Sequence, residues 1–130
     1  MSIYKDGPHI NILGQYHKED GPAIEYINRS KYWYINGRLH RIDGPAIENT
    51  DGTKEWWING RLHRLDGPAI EYFNGTKKWF INGAKHRTDG PAIEYSDGSK
   101  SWWVNGIEID QLEHMFTRII QVHRYYFPRI

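Results

Sequence analysis

The chain contains no cysteine, which removes disulfide bonds and thiolate metal sites from consideration and fits a reducing compartment. It has no run of 18 or more apolar residues, the length a membrane-spanning helix needs. It also lacks a charge excess of either sign: 17 basic residues stand against 16 acidic ones. A general nucleic-acid binder carries a basic surplus, so general nucleic-acid binding is not expected. The opening MSIYKDGPHI has no basic-then-apolar layout of a secretory leader. Together these absences lead to the expectation of a cytoplasmic protein without a membrane span.

What the chain does have is aromatic weight, with six Trp and nine Tyr among 130 residues. Rings bury a large area per residue, and that argues for a packed structure rather than disorder. The rings are periodic. DGPAIE begins at Asp20, Asp43, Asp66 and Asp89, each 23 residues after the last. His17, His40, His63 and His86 keep the same step. So do Trp33, Trp56, Trp79 and Trp102, and the Asn-Gly pairs at Asn36, Asn59, Asn82 and Asn105. Internal repetition of this kind specifies a stacked array of small units. Full units start at residues 17, 40, 63 and 86. Asp6-Gly7-Pro8 reads as a degenerate unit at 6–16, as terminal units of arrays often are.

Within a unit, two short runs flank Asp51-Gly52, Asn74-Gly75 or Asp97-Gly98, the signature of a two-residue hairpin turn. Arg29 stands where the other units have glycine and is a weaker turn former. Centring the hairpin on that turn puts Ile24, Ile47, Ile70 and Ile93 opposite Trp33, Trp56, Trp79 and Trp102. Alternation along the strands then gives an apolar face of Ile47, Trp56 and Ile58 and a wetter face of Ala46, Glu48 and Trp57. Asn59-Gly60 leads into a connector, RLHRLD, and Gly67-Pro68 blocks a helix there. The expected fold is mainly β: a single-domain array of antiparallel hairpins over residues 1–106. Residues 107–130 follow as an amphipathic helix packed on it. Leu112, Met115, Phe116, Ile119, Ile120 and His123 form the apolar stripe, with Asp110 as N-cap and Pro128 as boundary.

These units resemble MORN repeats, and more closely the bacterial MORN-variant repeats labelled antitoxin-like. The shared features are the turn glycine, the aromatic strand, the Asn-Gly pair, and the His and Gly before the next strand. The DGPA form resembles repeats in proteins of tailed phages. The resemblance covers residues 6–106. It departs from MORN units where Trp56-Trp57 replaces a Tyr-x-Gly. It implies an elongated twisted antiparallel sheet that serves as a scaffold or partner-binding module. If the chain is phage-encoded, the implied task is inhibition of a host defence protein in the bacterial cytoplasm.

No residue pattern points to catalysis. The His-Arg-x-Asp motif recurs at His40, His63 and His86, whereas an active site needs one asymmetric constellation. Aspartate before Gly-Pro is a turn-stabilising residue. Successive histidines one unit apart lie roughly 9–10 Å from each other, too far to converge on zinc at about 2 Å. No metal or cofactor is therefore expected. Two stripes remain as candidate partner-binding residues. One is the ring stripe Tyr34, Trp57, Phe80 and Trp103; its alternative is a second thin core folded over Ala23, Ala46, Ala69 and Ala92. The other is the basic stripe Arg38, Arg41, Arg61, Arg64, Lys85 and Arg87, whose alternative is a solvated edge neutralised by Asp43, Asp66 and Asp89. The expected function is a non-catalytic protein-binding module. The alternatives are a protein that sequesters a nucleotide or cyclic nucleotide, or a structural piece that self-associates as a homodimer through the C-terminal helix.

Overall fold

The computed structural model describes residues 2–110. Its backbone is a chain of short strands. In the first full unit, β1 (Ile24–Glu25) pairs with β2 (Lys31–Tyr32), and β3 (Tyr34–Ile35) pairs with β4 (Arg38–Leu39). The pattern repeats as β5 (Ile47–Glu48), β6 (Lys54–Glu55), β7 (Trp57–Ile58) and β8 (Arg61–Leu62), then as β9 (Ile70–Glu71), β10 (Lys77–Lys78), β11 (Phe80–Ile81) and β12 (Ala84–Lys85). The last described unit has β13 (Ile93–Glu94), β14 (Lys100–Val104) and β15 (Ile107–Ile109). The first hairpin of every unit joins one nine-stranded antiparallel sheet in the order β1-β2-β5-β6-β9-β10-β13-β14-β15, and β3-β4, β7-β8 and β11-β12 are separate ribbons beside it.

The two hairpins have different turns. Asn36-Gly37 has φ of 48° and 77°, and the other Asn-Gly pairs match it. These are two-residue type I′ turns, so the chain after Asn59-Gly60 is a returning strand before it is a connector. The turn at Asp51-Gly52 is not of that kind. Asn49 N donates to Thr53 O, Gly52 N donates to Asn49 O, and only Gly52 is left-handed. This is a three-residue loop with a bulged glycine. The added residue shifts the pairing by one: Ile47 lies opposite Glu55, Ile70 opposite Lys78, Ile93 opposite Ser101 and Ile24 opposite Tyr32, not opposite the tryptophans.

Arg29 occupies the bulge position in the first unit with φ of 73°. A side chain there costs about 1–2 kcal/mol, partly offset by the extra unfolded-state freedom of glycine. Arg29→Gly is expected to raise stability by about 0.5–1 kcal/mol, seen as a higher urea midpoint at unchanged slope.

The corrected register produces a charge ladder. Glu25, Lys31, Glu48, Lys54, Glu71, Lys77, Glu94 and Lys100 are successive cross-strand partners. Acid and base alternate along the row, and opposite charges facing one another favour this pairing over a slipped one. Burial falls on the other positions. Ala23, Ala46, Ala69 and Ala92 are 0% exposed, and their neighbours Ile24, Ile47, Ile70 and Ile93 are also buried. The alanine positions, expected on the wetter face, are thus the most buried of the array.

Units are stitched by side chains as well as ladders. Ser30, Thr53 and Thr76 are buried, and their hydroxyls accept from the amides of Thr50, Phe73 and Ser96 one unit on. Thr53→Val keeps the shape and removes the acceptor. It is expected to cost about 1–2 kcal/mol in chemical denaturation, whereas Ser99→Ala at the Asp97-Gly98 turn costs less than half of that.

At the N-terminal side, residues 3–9 run against β1. Lys5 N donates to Glu25 O, His9 N donates to Ala23 O, and His17 N donates to His9 O. The last two bonds match Trp33 N to Ala46 O and His40 N to Trp33 O, so His9 stands in the tryptophan position. Asp6-Gly7-Pro8 is then a bulge in that strand rather than a copy of the later Asp-Gly-Pro turns. Tyr4, Tyr26 and Tyr32 pack ring to ring at 5.4–5.5 Å and close this end. At the other end, Ile107–Ile109, which sequence reading assigned to the C-terminal helical segment, form a strand on β14. The helix expected from Leu112 onward lies outside the described residues.

Candidate functional site

The four candidate rings sit on β3, β7, β11 and β14, and each has a partner within the array. Tyr34 packs on Tyr16 at 5.2 Å, and burial raises the pKa of its hydroxyl. Trp57 Nε1 donates to Glu55 Oε2 at 2.8 Å. Phe80 is 9% exposed and clusters with Ala69, Ile70, Leu62 and Tyr72. Trp103 Nε1 donates to Ser101 Oγ, and Lys85 Nζ lies 4.2 Å above its ring. Tyr34, Trp57 and Trp103 are half-buried, and Phe80 is buried against Ala69.

The basic stripe divides into two sets. Arg38 and Arg61 are exposed on β4 and β8. Arg41, Arg64 and Arg87 are not free. The Arg41 guanidinium lies 3.9 Å above the Trp33 ring and donates to Asp43, Glu48 and the carbonyl of Pro45 at 3.0–3.1 Å. Arg64 repeats this on Trp56, Asp66, Glu71 and Pro68, and Arg87 on Trp79, Asp89, Glu94 and Pro91. The opposite face of the guanidinium meets glycine. A β-carbon on Gly44, Gly67 or Gly90 would lie 2.8–2.9 Å from the arginine Cζ. These three glycines are absent from the left-handed set, so what they supply is close approach. Tryptophan, arginine and glycine form a three-layer clamp closed by two carboxylates. In the first unit Lys18 and His9 stand at the arginine and tryptophan positions.

Each histidine holds the Asn-Gly turn of its own unit. His40 Nδ1 accepts from the Asn59 amide at 3.0 Å, and His17, His63 and His86 treat Asn36, Asn82 and Asn105 alike. The His-Arg-x-Asp motif is thereby spent on folding. At the Asp97-Gly98 turn Asp97 accepts from the Ser99 hydroxyl and amide, which lower its pKa. That contribution is present above the ordinary carboxylate range and is lost as pH falls through the lowered value.

Between successive connectors the surface opens into three grooves of about 800, 550 and 720 Å³. Their floors are Trp33 with Ile35, Trp56 with Ile58, and Trp79 with Ile81. On the connectors that wall them, Ile42 and Leu65 are 85% and 82% exposed. These two aliphatic residues and the glycine clamp escaped sequence reading. The signal was the residue between Arg and Asp-Gly-Pro, which is apolar in two consecutive units and which no strand pattern covers.

Among the described residues no group of three or more His, Asp or Glu is placed to hold a metal ion, and no helix is long and apolar enough to cross a membrane. No family model, no curated protein and no solved structure matches the chain.

Proposed function

We propose that this chain is a non-catalytic protein-binding repeat module, of the MORN-like kind its units resemble, and that it holds its partner along the connector edge. The observation that carries this reading is the pair Ile42 and Leu65. They are exposed one unit apart and sit between grooves floored by tryptophan. Interfaces are centred on apolar and aromatic anchors surrounded by polar groups, and this edge offers that composition on rigid elements. A nucleotide-sequestering role has less support. The arginines nearest the grooves each already carry two carboxylates, which leaves little positive potential for phosphate. Within the protein-binding reading, the DGPA resemblance points to a phage-encoded inhibitor of a host defence protein.

The test uses two paired variants as baits in a bacterial lysate, followed by titration of whatever is retained. Ile42→Asp with Leu65→Asp changes the connector edge. Ile27→Asp with Phe73→Asp changes exposed residues at the first-hairpin turns. The first pair is expected to lose a saturable partner at least about tenfold, which corresponds to roughly 1.4 kcal/mol, and the second to keep it. Absence of a saturable partner, or equal retention by both pairs, would remove the reading.

A further inference from the structure

The three grooves are copies on one step, and that step has a length. Each unit adds two strands to the long sheet, so neighbouring units are offset by about 9.4–9.8 Å along the sheet. A bound segment that fills more than one groove must present side chains with that period.

The common backbone conformations differ in their match. A β-strand repeats a face every two residues, about 6.6–6.8 Å, and misses the second groove. An α-helix returns to a face at seven residues, about 10.5 Å, and overshoots by roughly 2 Å across two steps. A polyproline II segment returns at three residues, about 9.3 Å. Residues one, four and seven of such a segment span about 19 Å, close to the distance from the first groove to the third. Aromatic-lined grooves suit this conformation because its backbone has no internal hydrogen bonds and is already ordered before binding.

The charges add a second criterion. Arg41, Arg64 and Arg87 are each bonded to two carboxylates, of which the inner ones, Glu48, Glu71 and Glu94, also face lysines of the ladder. The outer carboxylates, Asp43, Asp66 and Asp89, are 82–87% exposed at the side chain. They stand at the groove rims, where a cation between the seated residues would meet them.

We propose that the connector edge binds an extended proline-rich peptide in the polyproline II conformation, with every third residue seated in a groove and lysine or arginine between. This rests on the reading of that edge as the partner surface. The clamps fix the groove walls beforehand, which lowers the ordering cost of binding.

The experiment titrates the full chain with a peptide of four Leu-Pro-Lys triplets and follows tryptophan fluorescence and heat. A second peptide has the same composition with the leucines placed so that no two are three or six residues apart. The triplet peptide is expected to bind saturably and at least about tenfold more tightly, because only its period engages several grooves at once. Ile42→Asp with Leu65→Asp is expected to abolish that binding, and Ile27→Asp with Phe73→Asp to leave it unchanged. Equal affinity for both peptides, no binding, or insensitivity to Ile42 and Leu65 would each overturn the proposal. If the connector edge still captures a protein while the triplet peptide fails, the module reading survives and the polyproline reading falls. If the peptide binds through the Phe73 side, both fall.

Discussion

Phe80→Ala is expected to lower the stability of the array by about 3 kcal/mol, while Leu65→Ala changes it by less than about 0.5 kcal/mol. Both residues are large and apolar, and from the sequence alone both belong to exposed-looking segments of a unit. They differ in what surrounds them. Phe80 packs against Ala69, Ile70 and Leu62, one turn of the array deep, so truncation leaves a void among groups that cannot collapse onto one another. Leu65 is 82% exposed and leaves water in its place. Urea denaturation of the two variants separates them. A Phe80→Ala protein as stable as the parent would return this ring to the surface and restore the ring stripe as a contact face.

Gly67→Ala is expected to cost about 2 kcal/mol, an unusually large effect for a glycine that does not have positive φ. The new β-carbon falls 2.9 Å from Cζ of Arg64, so the guanidinium must shift. That loosens the Trp56 stack and the bonds to Asp66, Glu71 and Pro68 O. Part of that energy is recovered in water, because the arginine side chain is 22% exposed. The diagnostic is a double-mutant cycle. In an Arg64→Ala background Gly67→Ala is expected to cost under about 0.5 kcal/mol, because nothing remains to be displaced. An additive cycle would mean that the glycine serves the backbone and not the clamp.

The fold was legible where the sequence repeats and illegible where a unit's geometry depends on its neighbours. The 23-residue step, the hairpins and the mainly β class follow from Asp-Gly, Asn-Gly and alternating apolar residues. The register did not follow. A two-residue turn and a three-residue loop with a bulged glycine both carry Asp-Gly, and the choice between them moved Ile47 from Trp56 to Glu55. The Glu–Lys row contained the answer, since only the shifted register sets Glu48 opposite Lys54 and Lys31. The candidate stripes fared differently. Tyr34, Trp57, Phe80 and Trp103 recur for packing, and Arg41, Arg64 and Arg87 recur for the clamp. A repeated residue is first a residue that every unit needs. Ile42 and Leu65 are informative for the opposite reason: Glu19 and Thr88 occupy the same position in the flanking units, so the structure does not require an aliphatic side chain there.

The side chains that join units have a direction. Ser30 Oγ accepts from Thr50, Thr53 Oγ1 from Phe73 and Thr76 Oγ1 from Ser96. In each case the acceptor side chain belongs to the earlier unit and the amide to the later one. At the Asp97-Gly98 turn the matching hydroxyl, on Ser99, bonds back to Asp97. During synthesis from the N-terminus, each unit leaving the ribosome therefore meets a neighbour whose receiving groups are already built. Growth of the array can proceed in step with translation.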